Sequence, residues 1–272
     1  MKIVITGGSG FLGKWLVEEF KDHEVTVFDL VKHPTVKTYI GSVENIPDCC
    51  TACKGADAVI HAASPLPPTK FPPEYVYLVN AVGTFNVHEA ARILGIHTVV
   101  STSSEAAYGF FFRIRDFLPR YLPLDEQHPL RPQDVYGLSK KIGEEVAQSY
   151  ADAYGMDTPV IRPPWIVSPE DYEIHKGFKV GTAFSLDTFR TFAWVDVRDL
   201  VKAYRMVLEK SRGHEVYNVC ADDSTANEPL RTLLPKINPL LPKIISEGSG
   251  LSNAKIKTLG WSPVYNRGQF RK

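Results

Sequence analysis

Tyr136 and Lys140 stand four residues apart in Tyr136-Gly137-Leu138-Ser139-Lys140, which puts a phenol and an ammonium one turn apart on the same face of a helix. A tyrosine with its ordinary pKa of about 10 is a poor base at neutral pH, and a nearby cation brings the phenolate toward the working range. Such a pair can take the proton of a substrate alcohol while the alcohol carbon gives hydride to a cofactor. Spacing alone does not select it. With 12 tyrosines and 31 Lys or Arg in 272 residues a chance match is expected, and Tyr172-Glu173-Ile174-His175-Lys176 is one. Context separates the two: Tyr136 opens a long amphipathic stretch after Pro129 and Pro132, whereas Tyr172 sits between Pro169 and Gly177 with little room for a helix. A third group must hold the substrate oxygen, and Val99-Val100-Ser101-Thr102-Ser103-Ser104 ends in four hydroxyls, some of which serve turns and caps.

A hydride needs an acceptor, and the N-terminus supplies a place for one. Lys2-Ile3-Val4-Ile5-Thr6 reads as an apolar strand that runs into Gly7-Gly8-Ser9-Gly10-Phe11-Leu12-Gly13. The spacing Gly8-x-Gly10-x-x-Gly13 gives a tight turn, a bare backbone that a pyrophosphate can approach, and a small residue where helix meets strand. Phe11, Leu12, Trp15, Leu16 and Phe20 then recur at helical spacing, with Lys14, Glu18 and Glu19 on the other face. A second alternating strand, Glu24 to Asp29, ends on an acid where a ribose 2′-hydroxyl is expected. A carboxylate there repels the extra phosphate of NADP, so NAD is favoured, although Lys32 and His33 are close enough to accommodate that phosphate.

The remaining elements are those needed to position these groups. Short apolar runs at Ala58 to His61, His97 to Ser101, Pro159 to Arg162 and Glu215 to Val219 suit strands buried on both faces. Helical stretches at Glu74 to Leu94, Asp134 to Tyr154 and Val197 to Lys210 lie between them, so the expected fold class is α/β, a Rossmann-type doubly wound parallel sheet. Proline-rich breaks at 65–68 and 71–73 fall just past a strand's C-terminal end, the edge at which such sheets bind ligands. A chain of 272 residues is near the upper limit of one core. Lys+Arg and Asp+Glu balance at 31 each, which leaves no electrostatic footprint for nucleic acid or an anionic membrane and points to a small-molecule partner. No apolar run approaches the roughly 20 residues of a membrane helix, and the chain enters a strand directly, so a cytoplasmic protein is expected. Cys49, Cys50 and Cys53 lack a fourth ligand and a second paired spacing, so free thiols are expected rather than a metal site.

Taken in order, these motifs resemble the extended short-chain dehydrogenases/reductases, the NAD-dependent epimerase/dehydratase family, over nearly the full length. Thr6 to Gly13 is similar to the family's glycine motif, His61-Ala62-Ala63-Ser64 to its post-strand cofactor loop, Asn80 to its mid-helix asparagine, and Ser104, Tyr136 and Lys140 to its catalytic triad. Ser104 rather than Ser103 fits because the family serine lies four residues before the tyrosine of a Tyr-Gly pair, here Tyr108-Gly109. Arg162-Pro163, Trp194 to Asp199, Asn218 and Leu259 to Pro263 match later landmarks. The resemblance implies Tyr136 as acid/base, Lys140 also on the nicotinamide ribose and Ser104 orienting the reacting oxygen. It implies a cofactor cradle of Gly7, Gly10, Phe11, Leu12, Gly13, Asp29, Ala62, Ala63, Ser64, Asn80, Thr102, Tyr136, Lys140 and Pro163. It further implies a single unit over 1–272, with the NAD-binding core mainly in 1–162 and 194–220. The same resemblance implies a small C-terminal substrate-binding lobe mainly in 163–193 and 221–272, and a homodimer through the two long helices.

Departures from the family pattern narrow the expected reaction. Family dehydratases carry two adjacent acids after the catalytic hydroxyl, and here Glu105 is followed by Ala106, which disfavours dehydration. Trp165 stands where nucleotide-sugar binders usually carry asparagine, and the segment 165–193 is short, as in the compact uronate dehydrogenases. The insert 110–122 begins Phe110-Phe111-Phe112-Arg113-Ile114-Arg115, a candidate lid whose arginines bind a carboxylate or phosphate, or else an aromatic packing segment with its arginines in solvent. In the lid reading Glu105, Arg113, Arg115 and Trp165 are the substrate contacts, and replacing both arginines by Ala raises KM. The expected activity is NAD-dependent hydride transfer at a secondary alcohol of a sugar or sugar acid. A nucleotide-sugar epimerase with transient hydride transfer, or a non-catalytic NAD-sensing regulator, are the alternatives.

Overall fold

The computed structural model describes residues 1–174, 189–226, 228–242 and 248–268. Its strands in chain order are β1 (Lys2–Thr6), β2 (Glu24–Asp29), β3 (Thr38–Ile40), β4 (Ala58–His61), β5 (Thr98–Thr102), β6 (Val160–Arg162), β7 (Trp165–Val167), β8 (Trp194–Asp196) and β9 (Val216–Asn218). Seven of them form one sheet in the order β3-β2-β1-β4-β5-β6-β9, and β7 pairs with β8 beside it; every pairing is parallel. Ile3, Val4 and Ile5 on β1 and all of β4 are buried, because helices cover both faces of a parallel sheet and leave no place for alternation. The order reverses between β1 and β4, and the crevice at that reversal is where a doubly wound sheet takes its ligand.

The helices are α1 (Phe11–Glu19), α2 (Ile46–Cys53), α3 (Pro73–Tyr77), α4 (Gly83–Leu94), α5 (Val135–Tyr154), α6 (Pro169–Ile174) and α7 (Val197–Lys210), with two short ones toward the C-terminus. Leu12, Leu16 and Phe20 join Leu200, Tyr204 and Val207 over one face of the sheet, so α1 and α7 share a core. Cys49, Cys53, Val87, Ala90 and Tyr150 pack the opposite face. Asp134 caps α5 by accepting the Gly137 N–H at 2.9 Å, and Gly155 closes the helix in the left-handed conformation that glycine tolerates.

One expectation needs adjusting. The single helix over Glu74 to Leu94 is broken by a wide π turn at Leu78–Val82, with Asn80 buried inside it. The cysteine cluster rides on α2, its Cys49 and Cys53 thiols pushed up to about 12 by burial, and among the described residues no three His, Cys, Asp or Glu gather as a metal site would need. No helix of the described residues is long and apolar enough to cross a membrane.

Tyr108, Phe110 and Leu124 form a separate cluster with Phe189, Leu230, Leu233 and Leu251, so the aromatic insert is seated on the C-terminal segments. Arg113 is part of that seat: its Nη1 donates to the carbonyls of Phe110 and Phe189, each at 2.6 Å, and its Nε to Asp116 at 2.6 Å. Removing it strands two carbonyls, so Arg113→Ala should destabilise the fold by roughly 1–3 kcal/mol while KM changes little, measured by thermal melts beside steady-state kinetics.

Candidate active site

The glycine turn is built by sterics. Gly7 has φ +70° and a Cβ there would fall 2.7 Å from the backbone of Ala63, while one on Gly13 would fall 2.1 Å from the Gly7 carbonyl oxygen. A Cβ on Gly10 meets only the Gly7 oxygen, at 3.2 Å, which leaves its backbone open to a ligand. The Asp29 carboxylate is held at the end of β2 by the Ser9 and Val31 amides, which donate at 2.9 and 3.1 Å. His33 is buried, takes the Thr35 and Val36 amides on Nδ1, and has its pKa pushed down by that burial.

A cavity of about 790 Å³ runs from this turn past the ends of β4 and β5 to α5. Gly7, Gly10, Phe11, Leu12, Gly13, Asp29, Ala62, Ala63, Ser64, Thr102 and Pro163 line it, together with Ser104, Tyr136 and Lys140. Glu105 and Trp165 line it too. Three expected residues are placed elsewhere. Asn80 sits behind the wall, donating to Ser139 Oγ at 3.1 Å and accepting from Ser64 at 2.8 Å. Arg113 is occupied in the insert, and Arg115 lies on the surface, its backbone held by Gln133. The arginine lid is therefore corrected: the insert turns Phe111 and Phe112 into the cavity, because the apolar rings gain from burial and its cations find backbone carbonyls or water. The second Tyr-x-x-x-Lys spacing, at 172–176, extends outside the described residues.

Around Tyr136 the electrostatics are distinctive. Burial pushes its phenol up to about 12, opposed by a hydrogen bond with Ser104. Burial pushes the Lys140 amine down to about 8, opposed by the negative charge of Glu144 one turn further along α5. Lys140 Nζ donates to the Thr102 carbonyl at 3.1 Å and lies 5.6 Å from the centroid of the Tyr136 ring. Lys140→Met removes a cation 5.6 Å from that ring, so if the phenol titrates in turnover the acid limb of the kcat/KM profile should move to higher pH, read from initial rates at rising pH.

Behind the pair runs a buried polar set joined by Glu144, a residue that no sequence motif marks. Arg162 on β6 grips Glu144 through Nε and Nη2 at 2.7 and 2.5 Å, Ser103 donates to the same carboxylate at 2.5 Å, and Arg162 Nη1 reaches the Tyr108 hydroxyl at 3.0 Å. Such a buried ion pair adds little net stability but is costly to break on one side, so it locks the serine strand against the helix of Tyr136 and Lys140. The available signal was an acid four residues beyond Lys140 on the same helical face.

Comparison with known proteins agrees with this arrangement. The family model described as "NAD dependent epimerase/dehydratase family" matches residues 3–220. The chain belongs to that family. It is thus an NAD(P)-dependent enzyme of the short-chain dehydrogenase/reductase type. It is 29% identical over 217 residues to an L-arabinose 1-dehydrogenase (NAD(P)(+)) of Haloferax volcanii, covering 77% of this chain and 83% of that protein. It is 33% identical over 169 residues to a uronate dehydrogenase of Pseudomonas putida, covering 59% of each, so that match spans less than two thirds of the relative. A solved short-chain dehydrogenase/reductase superfamily protein from Agrobacterium tumefaciens, with bound NAD, superposes with a TM-score of 0.75 at 24% identity over 99% of this chain and 94% of that one. That likeness speaks to the fold.

Proposed function

We propose that this family member oxidises a secondary alcohol of a sugar-type substrate, with Ser104, Tyr136 and Lys140 as the working group. The observation that carries the reading is that these three side chains line the same cavity as the glycine turn. The cradle suits NAD: the turn leaves no room for a Cβ at Gly13, and Asp29 presents a fixed carboxylate that favours two free ribose hydroxyls. NAD supplies the hydride acceptor when bound. Ser104 holds the reacting oxygen, Tyr136 takes the hydroxyl proton, and Lys140 keeps a positive charge beside the phenolate.

The names of the relatives support a sugar or sugar acid as substrate, an arabinose in one and a uronate in the other. Following absorbance of the reduced cofactor while sugars are added tests the reading. Net accumulation supports a dehydrogenase, and product without accumulation supports an epimerase that returns the hydride. A homodimer through α4 and α5 belongs to the same proposal. Phe85 and Tyr154 are 46% and 55% exposed on that face, with the Phe85 ring against Tyr150, and light scattering reads the mass.

A further inference from the structure

One face of α5 meets the end of β5 at three successive turns. Tyr136, Lys140 and Glu144 lie at i, i+4 and i+8 on that helix, and they meet Ser104, Thr102 and Ser103 in turn. The Tyr136 phenol hydrogen-bonds with Ser104, Lys140 Nζ donates to the Thr102 carbonyl at 3.1 Å, and Glu144 accepts the Ser103 hydroxyl at 2.5 Å. The first two contacts belong to the proposed working group, whereas Glu144 is buried behind the cavity wall. Its carboxylate is fixed in turn from β6, where Arg162 donates Nε to the oxygen that takes Ser103 and Nη2 to the other. Backbone bonds hold the serine loop only from the sheet side: the Ser103 amide donates to the Ile161 carbonyl at 2.8 Å and the Glu105 amide to that of Pro163 at 3.0 Å. Those bonds set the loop against β6 and leave its distance from α5 to the side chains. Ser104 Oγ accepts the Ala106 amide at 3.1 Å, so its proton and one lone pair are left for the phenol and a substrate oxygen.

We propose that Glu144 is a positioning residue for the reaction: anchored by Arg162, it holds Ser103 by its hydroxyl and so sets the distance from Ser104, the next residue, to the Tyr136 phenol. This rests on the proposed dehydrogenase reading and adds to it a group that never touches substrate. The demand is geometric, since an oxygen must be met by serine and phenol at once, and a misplacement of about 1 Å costs a reaction up to about 10²-fold. A carboxylate suits the duty better than a neutral acceptor, because a hydroxyl bound to a charged oxygen sits closer and is held more strongly. Arg162 compensates that charge in place, and removing either partner would leave the other buried and unpaired.

The test is a double-mutant cycle on kcat at saturating NAD, read with whichever of L-arabinose, D-galactose, D-galacturonate and D-glucuronate the wild type turns over fastest. Ser103→Ala removes one hydroxyl and leaves the pair of Arg162 and Glu144 whole. It should lower kcat by about tenfold, within the span that a misplaced group costs, with NAD affinity by calorimetry and the melting temperature near wild type. In a Ser104→Ala background the same change should cost less than about twofold, because the serine it positions is gone. Glu144→Gln, which weakens the bonds to both Ser103 and Arg162, should lower kcat at least as far as Ser103→Ala; if it does not fold, the serine cycle decides alone. Equal losses in both backgrounds make Ser103 independent of Ser104 and overturn the inference, as does wild-type kcat in Ser103→Ala. Either result leaves the dehydrogenase reading standing. Absence of turnover with all four sugars, with NAD bound, overturns that reading and the inference together.

Discussion

Tyr136→Phe should lose turnover by roughly 10²–10⁴-fold, the span expected when a positioned general base is removed, with NAD affinity nearly unchanged. The substitution keeps the ring, so the edge contact with Phe112 survives and only the hydroxyl that hydrogen-bonds with Ser104 is lost. Lys140 still reaches the Thr102 carbonyl, and the glycine turn at the other end of the cavity is untouched. Calorimetric titration with NAD beside initial rates checks both halves. Turnover equal to wild type would remove Tyr136 from the chemistry, whereas loss of NAD binding together with turnover would make its role one of holding the cavity's shape.

The second large effect is expected at Gly13→Val. A Cβ at this position lies 2.1 Å from the Gly7 oxygen and 2.5 Å from the Gly8 Cα, both backbone atoms of the turn itself, so α1 and the turn must spread before the side chain fits. Overpacking of this kind costs about 1–3 kcal/mol in a core, and here the strain falls on the amides that would face a pyrophosphate. NAD affinity should drop by at least about 100-fold, which corresponds to roughly 2.7 kcal/mol. Thermal melts with and without NAD separate the outcomes: Gly13→Val should melt lower and gain no stability from added NAD, while wild type gains it. Wild-type NAD affinity in Gly13→Val would show that the cofactor does not depend on this close approach.

Much of the fold follows from local signals. The apolar runs at β1, β2 and β4 and the periodicity of α5 and α7 are strong because buried parallel strands and covering helices must carry them. The three-residue edge strand β3 and the β7-β8 pair carry no such pattern, since three residues are too few to show a period. The π turn around Asn80 is equally silent in the sequence, because the extra residue in the turn is compensated by bonds to Ser64 and Ser139, distant in the chain.

The sequence by itself determined the type of chemistry: glycines at a strand end, an acid after the second strand, and a phenol and ammonium at i and i+4. Those are demands of backbone sterics and helical geometry over a few residues, and they are met within contiguous stretches. Only the tertiary structure decided what surrounds the Tyr136 phenol. Whether Phe111 and Phe112 or Arg113 and Arg115 face the cavity depends on which of them finds carbonyl partners at Phe110 and Phe189, more than 70 residues apart in the chain. The bond from Thr191 to Glu105 and the grip of Arg162 on Glu144 arise the same way, from strands and loops that meet only when the sheet is assembled.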